Sequence, residues 1–135
     1  MATLTADHLT DEQLDALGAE LDALRAEVVA SLGERDARYI HKIIRTQRGL
    51  DAAARALLLF AKFPPAWIAG TAALSVAKIL ENMEIGHNVM HGQWDWMRDP
   101  KIHSTTWEWD HASPADLWKR SHNELHHTYT NVIGR

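Results

Sequence analysis

The sequence predicts an all-α protein organised around a helical hairpin that enters a membrane. Three observations predict it. Apolar residues recur at three- and four-residue spacing from Leu14 to beyond Leu80. Pro64-Pro65 divides the most apolar stretch into two arms. Basic residues collect before the first arm and after the second, with only Lys62 near the tip.

The first element is an amphipathic helix. Thr10 and Gln13 have the spacing of a capping box, and Leu14, Leu17, Leu21, Leu24 and Val28 come next at helical spacing with charges between them. Gly33 is expected to end it. Residues 1–36 carry nine acidic and two basic residues, a net of −7, and read as an acidic N-terminal segment with a docking or regulatory role and no catalysis. Met1 to Thr10 lacks a basic flank followed by an apolar core, so no secretory leader is expected there.

The second element runs from about Ala37 to Phe63. Its first half is basic, with Tyr39, Ile40, Ile43 and Ile44 apolar. Its second half, from Ala52, is mostly apolar, interrupted by Arg55 and Lys62. Residues 37–62 carry six basic residues against Asp51, a net of +5, and the whole chain nets −4. Basic residues just before an apolar stretch, with no aromatics interleaved, suit a membrane surface and argue against nucleic acid.

The third element is apolar from Ala66 to Leu80 except Thr71, Ser75 and Lys78. No uninterrupted apolar run reaches the roughly 18 residues that identify a transmembrane helix alone, so a soluble helical hairpin is the competing reading. A helix continued from Ala66 through His91 would measure about 39 Å, enough to cross a bilayer core. Its polar residues gather at the far end, where a site at the membrane boundary needs them. The distribution of Lys and Arg then places both ends of the hairpin, about 52–91, in the cytoplasm and its Pro64-Pro65 tip outside.

Gly92 to Pro114 reads as a loop rich in tryptophan: Trp94, Trp96, Trp107 and Trp109, with Trp118 close behind. Such clusters suit a membrane interface, an apolar pocket or plain packing. A last helix is expected to start with Ser113 as cap, Pro114 at the first helical position and Asp116 completing the box.

The chemistry lies in the histidines. There is no cysteine, which excludes disulfides, thiolate zinc sites and cysteine-ligated iron–sulfur clusters. Five of the nine histidines form two groups. His87 and His91, four apart, project from one helix face, and Glu84 joins that stripe as a ligand or as an acceptor behind one. Asn88 stands where a zinc-protease motif needs its general-base Glu. In the second group, Trp118, His122, Leu125, His126 and Tyr129 are expected to share a face, with His127 about 100° away from His126. Imidazoles without thiolates suit iron, zinc, copper or nickel, and the sequence does not choose among them.

The residues around both groups add a resemblance. Lys78 to Ile85 leading into His87–His91 and then Gly92 to Met97 is similar to the first histidine box of bacterial acyl-CoA-type fatty acid desaturases. Ser121 to His127 followed by Thr128 to Asn131 resembles their second box, in its three-residue-spacer form. The resemblance covers about Tyr39 to Arg135 and implies an all-α, four-helix membrane fold, with residues 37–135 as the N-terminal part of the desaturase domain. It also implies a non-haem di-iron centre on the cytoplasmic side, with His87, His91, His122, His126 and His127 as ligands. That centre would use O₂ to place a double bond in a fatty acyl chain, carried on CoA or on lipid. Electrons would come from ferredoxin or a cytochrome b5 type donor. His103 and His111 lie between the boxes and read as surface or hydrogen-bonding residues. The family pattern includes a further helical hairpin and a third histidine box, and five imidazoles do not saturate two irons. Residues 1–135 are therefore expected to be an inactive portion of such an enzyme. A histidine-box hydroxylase and a small non-catalytic metal-binding module are the alternatives.

Overall fold

The computed structural model describes residues 8–132; residues 1–7 and 133–135, which include most of the segment read for a leader, lie outside that range. Described residues are helical or loop, with no strand. The chain divides into two compact units, residues 1–38 and 39–135, each described by itself.

In the first unit, helix α1 spans Asp11–Ser31. Thr10 accepts from the Gln13 backbone N–H while the Gln13 side chain accepts from the Thr10 N–H, closing the capping box. The helix stops at Leu32, whose extended backbone ends the i→i−4 ladder one residue before Gly33. Gly33 lies instead at the head of α2, Glu34–Leu58, where its N–H donates to the Asp36 carboxylate. It opens the second helix rather than closing the first.

Helix α2 runs through to the second unit and ends in turns over residues 59–62, before Phe63 and the two prolines. Pro64 and Pro65 open α3, Pro64–Ile79, where a missing N–H costs nothing. At Gly70 an added Cβ would sit 2.9 Å from the Leu58 side chain and 3.2 Å from the Ala54 carbonyl oxygen. The two arms of the hairpin meet there with no room for a side chain.

The run from Pro64 to Met90 is continuous but is not one α-helix. A π turn, Leu80–Gly86, separates α3 from α4, His87–Met90. Among the described residues no helix is long and apolar enough to cross a membrane. Lys78, Glu81 and Glu84 crowd the π turn, and the change of winding divides the 26-residue helix expected from Ala66 to His91.

Helix α4 ends in a Schellman motif. Gly92 has φ +72°, its N–H donates to the Val89 carbonyl at 2.8 Å, and the Gln93 N–H reaches the Asn88 carbonyl at 3.0 Å. The next loop holds a single 3₁₀ turn, Asp95–Met97, and is tied down by Asp95, which accepts from the Ser104 N–H and hydroxyl. Helix α5, Ala115–Lys119, starts one residue later than expected. Pro114 is its cap residue and no side chain on its own turn closes a box. Glu108, from the preceding loop, accepts from the Ala115 N–H at 3.2 Å, so the orphan donor is met by a tertiary contact. A second π turn, Arg120–His126, and a short α6, His127–Tyr129, complete the described fold.

The core sits at the histidine end of the hairpin. Ile40 and Ile44 of α2, Ile85 of the first π turn, Val89 and Met90 of α4, and Trp94, Ile102, Trp107 and Ala115 form one buried cluster. The loop lays its tryptophans over this cluster, which makes the loop a structural wall.

Candidate metal centre

The histidine side chains converge because two π turns set their angles. Each π turn inserts one residue into a helix and rotates the residues beyond it. The first lies directly before His87, and the second contains His122 and His126. His87 and His91 project side by side, with ring centroids 4.7 Å apart. His122 approaches both, at 4.8 Å from His87 and 5.2 Å from His91.

His127 differs from its expected direction. Regular α winding would carry it away from the His122 face. The wider π turn swings it back, to 4.9 Å from His91 and 4.8 Å from His122. His126 is 5.0 Å from His122 and 5.5 Å from His127, and its Nδ1 lies 3.2 Å from the Thr130 hydroxyl. The five rings thus form one cluster of neighbours, in which His126 meets His122 and His127 and also lies beside Thr130.

Ligand atoms of His87, His91 and His122 all lie within 4.8 Å of one another. Imidazole nitrogens bound at 2.0–2.1 Å to one ion stand no more than about 4.2 Å apart, so the three are near that spacing. The Nε2 atom of His122 is buried and has no hydrogen-bond partner. An orphaned polar atom inside a ring of imidazoles is costly unless something accepts its lone pair. Burial first, and then the charges of His87, His127, His91 and His126, push the His122 imidazole down to about 4. It is neutral at pH 7, the form that donates a lone pair. The donor set and the orphaned nitrogen both fit a metal ion.

Three side chains that are not histidines hold this arrangement. The Trp118 indole stacks on His122 at 4.1 Å and 17° and meets His87 edge-on at 5.5 Å, closing one side of the cluster. Asn123 donates through Nδ2 to the Met90 carbonyl oxygen at 3.1 Å. Met90 is the last residue of α4, where a helix leaves carbonyls unmet; the bond ties the two histidine-bearing helices together. Gly86 lets the Trp109 ring approach so closely that an added Cβ would lie 2.7 Å from it, and Trp109 in turn packs edge-on against Trp118 at 5.6 Å.

Glu84 is not grouped with the histidine ligand atoms. Its carboxylate accepts from the Tyr39 hydroxyl at 3.4 Å and its backbone carbonyl accepts from Asn88 Nδ2. The buried carboxylate of this stretch is Glu81, three residues earlier. It accepts from Lys78 at 2.8 Å and from the Asp110 N–H at 3.2 Å, and lies 3.7 Å from His111 Nε2. Lys78 also bonds the Asp110 carboxylate, which Arg55 reaches too, so the loop is fastened to both hairpin arms. Hydrogen bonding to Lys78, then the charges of Lys78 and Arg55, hold the Asp110 carboxyl below the usual range. Glu81 was not singled out from the sequence. Its signal there is the Lys78–Glu81 pair inside an apolar run, where unpaired charges are costly. His103 bonds the Thr105 hydroxyl at 2.9 Å, and His111 packs on Trp109 with ring centroids 4.4 Å apart.

Two curated proteins are similar to this chain, both named NADPH-dependent stearoyl-CoA 9-desaturase, from Mycobacterium tuberculosis strains CDC 1551 / Oshkosh and ATCC 25618 / H37Rv. Each is 57% identical over 127 residues, covering 94% of this chain. The chain spans 30% of the length of these relatives. No family model matches, and no solved structure matches. Both histidine boxes lie inside the matched region, so this chain is similar in sequence to a portion of these desaturases that spans the two boxes and their surroundings.

Proposed function

We propose that this chain is the N-terminal portion of a membrane-bound, O₂-dependent acyl-CoA desaturase of lipid metabolism, and that it supplies part of a di-iron centre. The single observation that carries this reading is the convergence of His87, His91, His122 and His127 from two separate helices. His126 completes the proposed ligand set by a rotation away from Thr130, and Glu84 is the proposed acceptor behind His87. Iron bound there would supply the oxidising power, with O₂, to remove two hydrogens from an unactivated acyl chain. The protein's own residues do the rest. Neutral imidazoles present lone pairs, Trp118 and Trp109 cover the cluster, and Asn123 fixes the separation of the two helices.

The relatives' names point to an acyl-CoA substrate and to NADPH as a source of electrons; the proposed carrier between NADPH and the centre is of ferredoxin or cytochrome b5 type. The hairpin of about 52–91 is proposed to insert in the membrane with the histidine boxes facing the cytoplasm. Supporting this, the hairpin tip exposes Leu59, Phe60, Phe63, Trp67 and Ile68, large apolar side chains for which water is unfavourable. Polar groups concentrate at the opposite end.

The test uses the protein at the length its gene encodes. His87→Ala, His91→Ala, His122→Ala and His126→Ala are each expected to abolish unsaturated product and lower bound iron, while His8→Ala and His41→Ala leave both unchanged. Near-normal product and iron in any of the first four variants would remove that residue from the ligand set. Near-normal values in all four would overturn the reading.

A further inference from the structure

Helix α1 belongs to the first unit. Leu14, Leu17, Leu21, Leu24 and Val28 are all more than a third exposed, and α1 buries no residue. Most helical stability in proteins comes from burial of one face, and α1, 21 residues long, buries none. The spacing of the apolar residues is three, four, three, four. That is the a/d pattern of a coiled coil, with Leu14, Leu21 and Val28 at a and Leu17 and Leu24 at d.

The charges select the partner. In this register Asp15 and Asp22 fall at b and Glu12 at f, pointing away from the seam. Glu20 falls at g and Arg25 at the following e. In a parallel, in-register pair each Glu20 meets Arg25 of the other helix, twice by symmetry, and no like charges face each other. An antiparallel pair would bring Glu20 against Glu20. A lipid surface is a poorer fit, because it offers no pairing of Glu20 with Arg25, the contact that offsets the repulsion between two acidic segments.

We propose that α1 pairs two copies of this chain through a parallel two-stranded coiled coil. The seam is Leu14, Leu17, Leu21, Leu24 and Val28, and the Glu20–Arg25 pairs set its orientation. The proposal is independent of the metal centre: α1 would dimerise the chain whatever reaction the second unit serves.

The chain contains no cysteine, so single cysteines report contacts without background. The full 135-residue chain in membranes or mild detergent is treated with a short bifunctional thiol reagent. Leu17→Cys and Leu24→Cys, two separate d positions, are expected to give covalent dimers. Asp15→Cys and Ala26→Cys, on the outer face, are expected to stay monomeric. Adding Arg25→Glu should cause loss of the Leu24→Cys dimer, and adding Glu20→Arg to that variant should restore it. Equal cross-linking at all four positions, or none at either d position, would overturn the proposal. So would restoration failing in the double charge swap. Protection of the d positions by anionic vesicles without any dimer would assign the face to lipid instead, and a cross-link only to a different, basic protein would assign it to a heterologous partner. Both outcomes also overturn it.

Discussion

The two ends of the helical hairpin use apolar side chains in opposite ways. At the tip, Leu59, Phe60, Phe63, Trp67 and Ile68 face outward, with Ile68 60% exposed. At the histidine end, Ile85, Val89 and Met90 are buried, Ile85 at 1%, under a loop carrying Trp94 and Trp107. Composition alone does not separate the ends, since both are rich in large apolar residues. The difference lies in what covers them. The histidine end is packed by its own chain, so its geometry is fixed internally. The tip is left uncovered among the described residues, and it is the surface that the proposed membrane insertion would bury.

The sharpest test applies one substitution at both ends. Ile85→Ala is expected to destabilise by about 2–5 kcal/mol, because it leaves a cavity in a packed core. Ile68→Ala should change stability by less than about 0.5 kcal/mol, as exposed sites do. Reversible unfolding of the detergent-solubilised chain measures both, and equal effects would erase the contrast. A charge at the tip asks a different question. If the tip lies in lipid, Ile68→Arg should disfavour insertion by up to about 2.5–3.5 kcal/mol, the cost of a charge at a helix centre. The reading is a shift of protein out of the membrane fraction; unchanged partitioning would mean that lipid does not cover Ile68.

The histidine end can be loosened without touching a ligand. Gly86→Ala forces the new Cβ against the Trp109 ring and the Glu81 carbonyl. It is expected to cost about 1–3 kcal/mol, with near-ultraviolet dichroism of the tryptophans changing alongside. Asn123→Ala removes the bond to Met90 and should cost about 0.5–1.5 kcal/mol. Its second expected effect is weaker binding of a probe ion such as Co²⁺ by titration calorimetry, since the two histidine helices are then free to separate.

The smallest effect is electrostatic. The Asp110 carboxyl is held below its ordinary value by Lys78 and then Arg55. A lowered folded value means stabilisation that is present above the ordinary carboxylate value, about 3.9, and lost as pH falls through the folded one. The unfolding midpoint of the unaltered chain should therefore drop toward that of Asp110→Asn as pH falls below about 4. A gap that persists or widens there would remove this tie from the account.

What the sequence determined by itself is local. The Thr10–Gln13 capping box, the break at Pro64-Pro65 and the all-helical character arise from side chains acting on the nearest few backbone groups, and the structure shows each of them. The histidine boxes and their flanks were equally legible, because a motif is a pattern along the chain. The tertiary structure decided the angles. Whether His127 faces His91, whether Glu84 or Glu81 is the buried carboxylate, and whether Ser113 or Glu108 serves the start of α5 depend on two π turns and on a loop returning from far along the chain. A π turn has no composition of its own. One inserted residue is tolerated where packing of Trp109, Trp118 and Asn123 against neighbouring helices outweighs the poorer hydrogen-bond geometry. That balance is set by contacts between distant residues, which no periodicity in the sequence records.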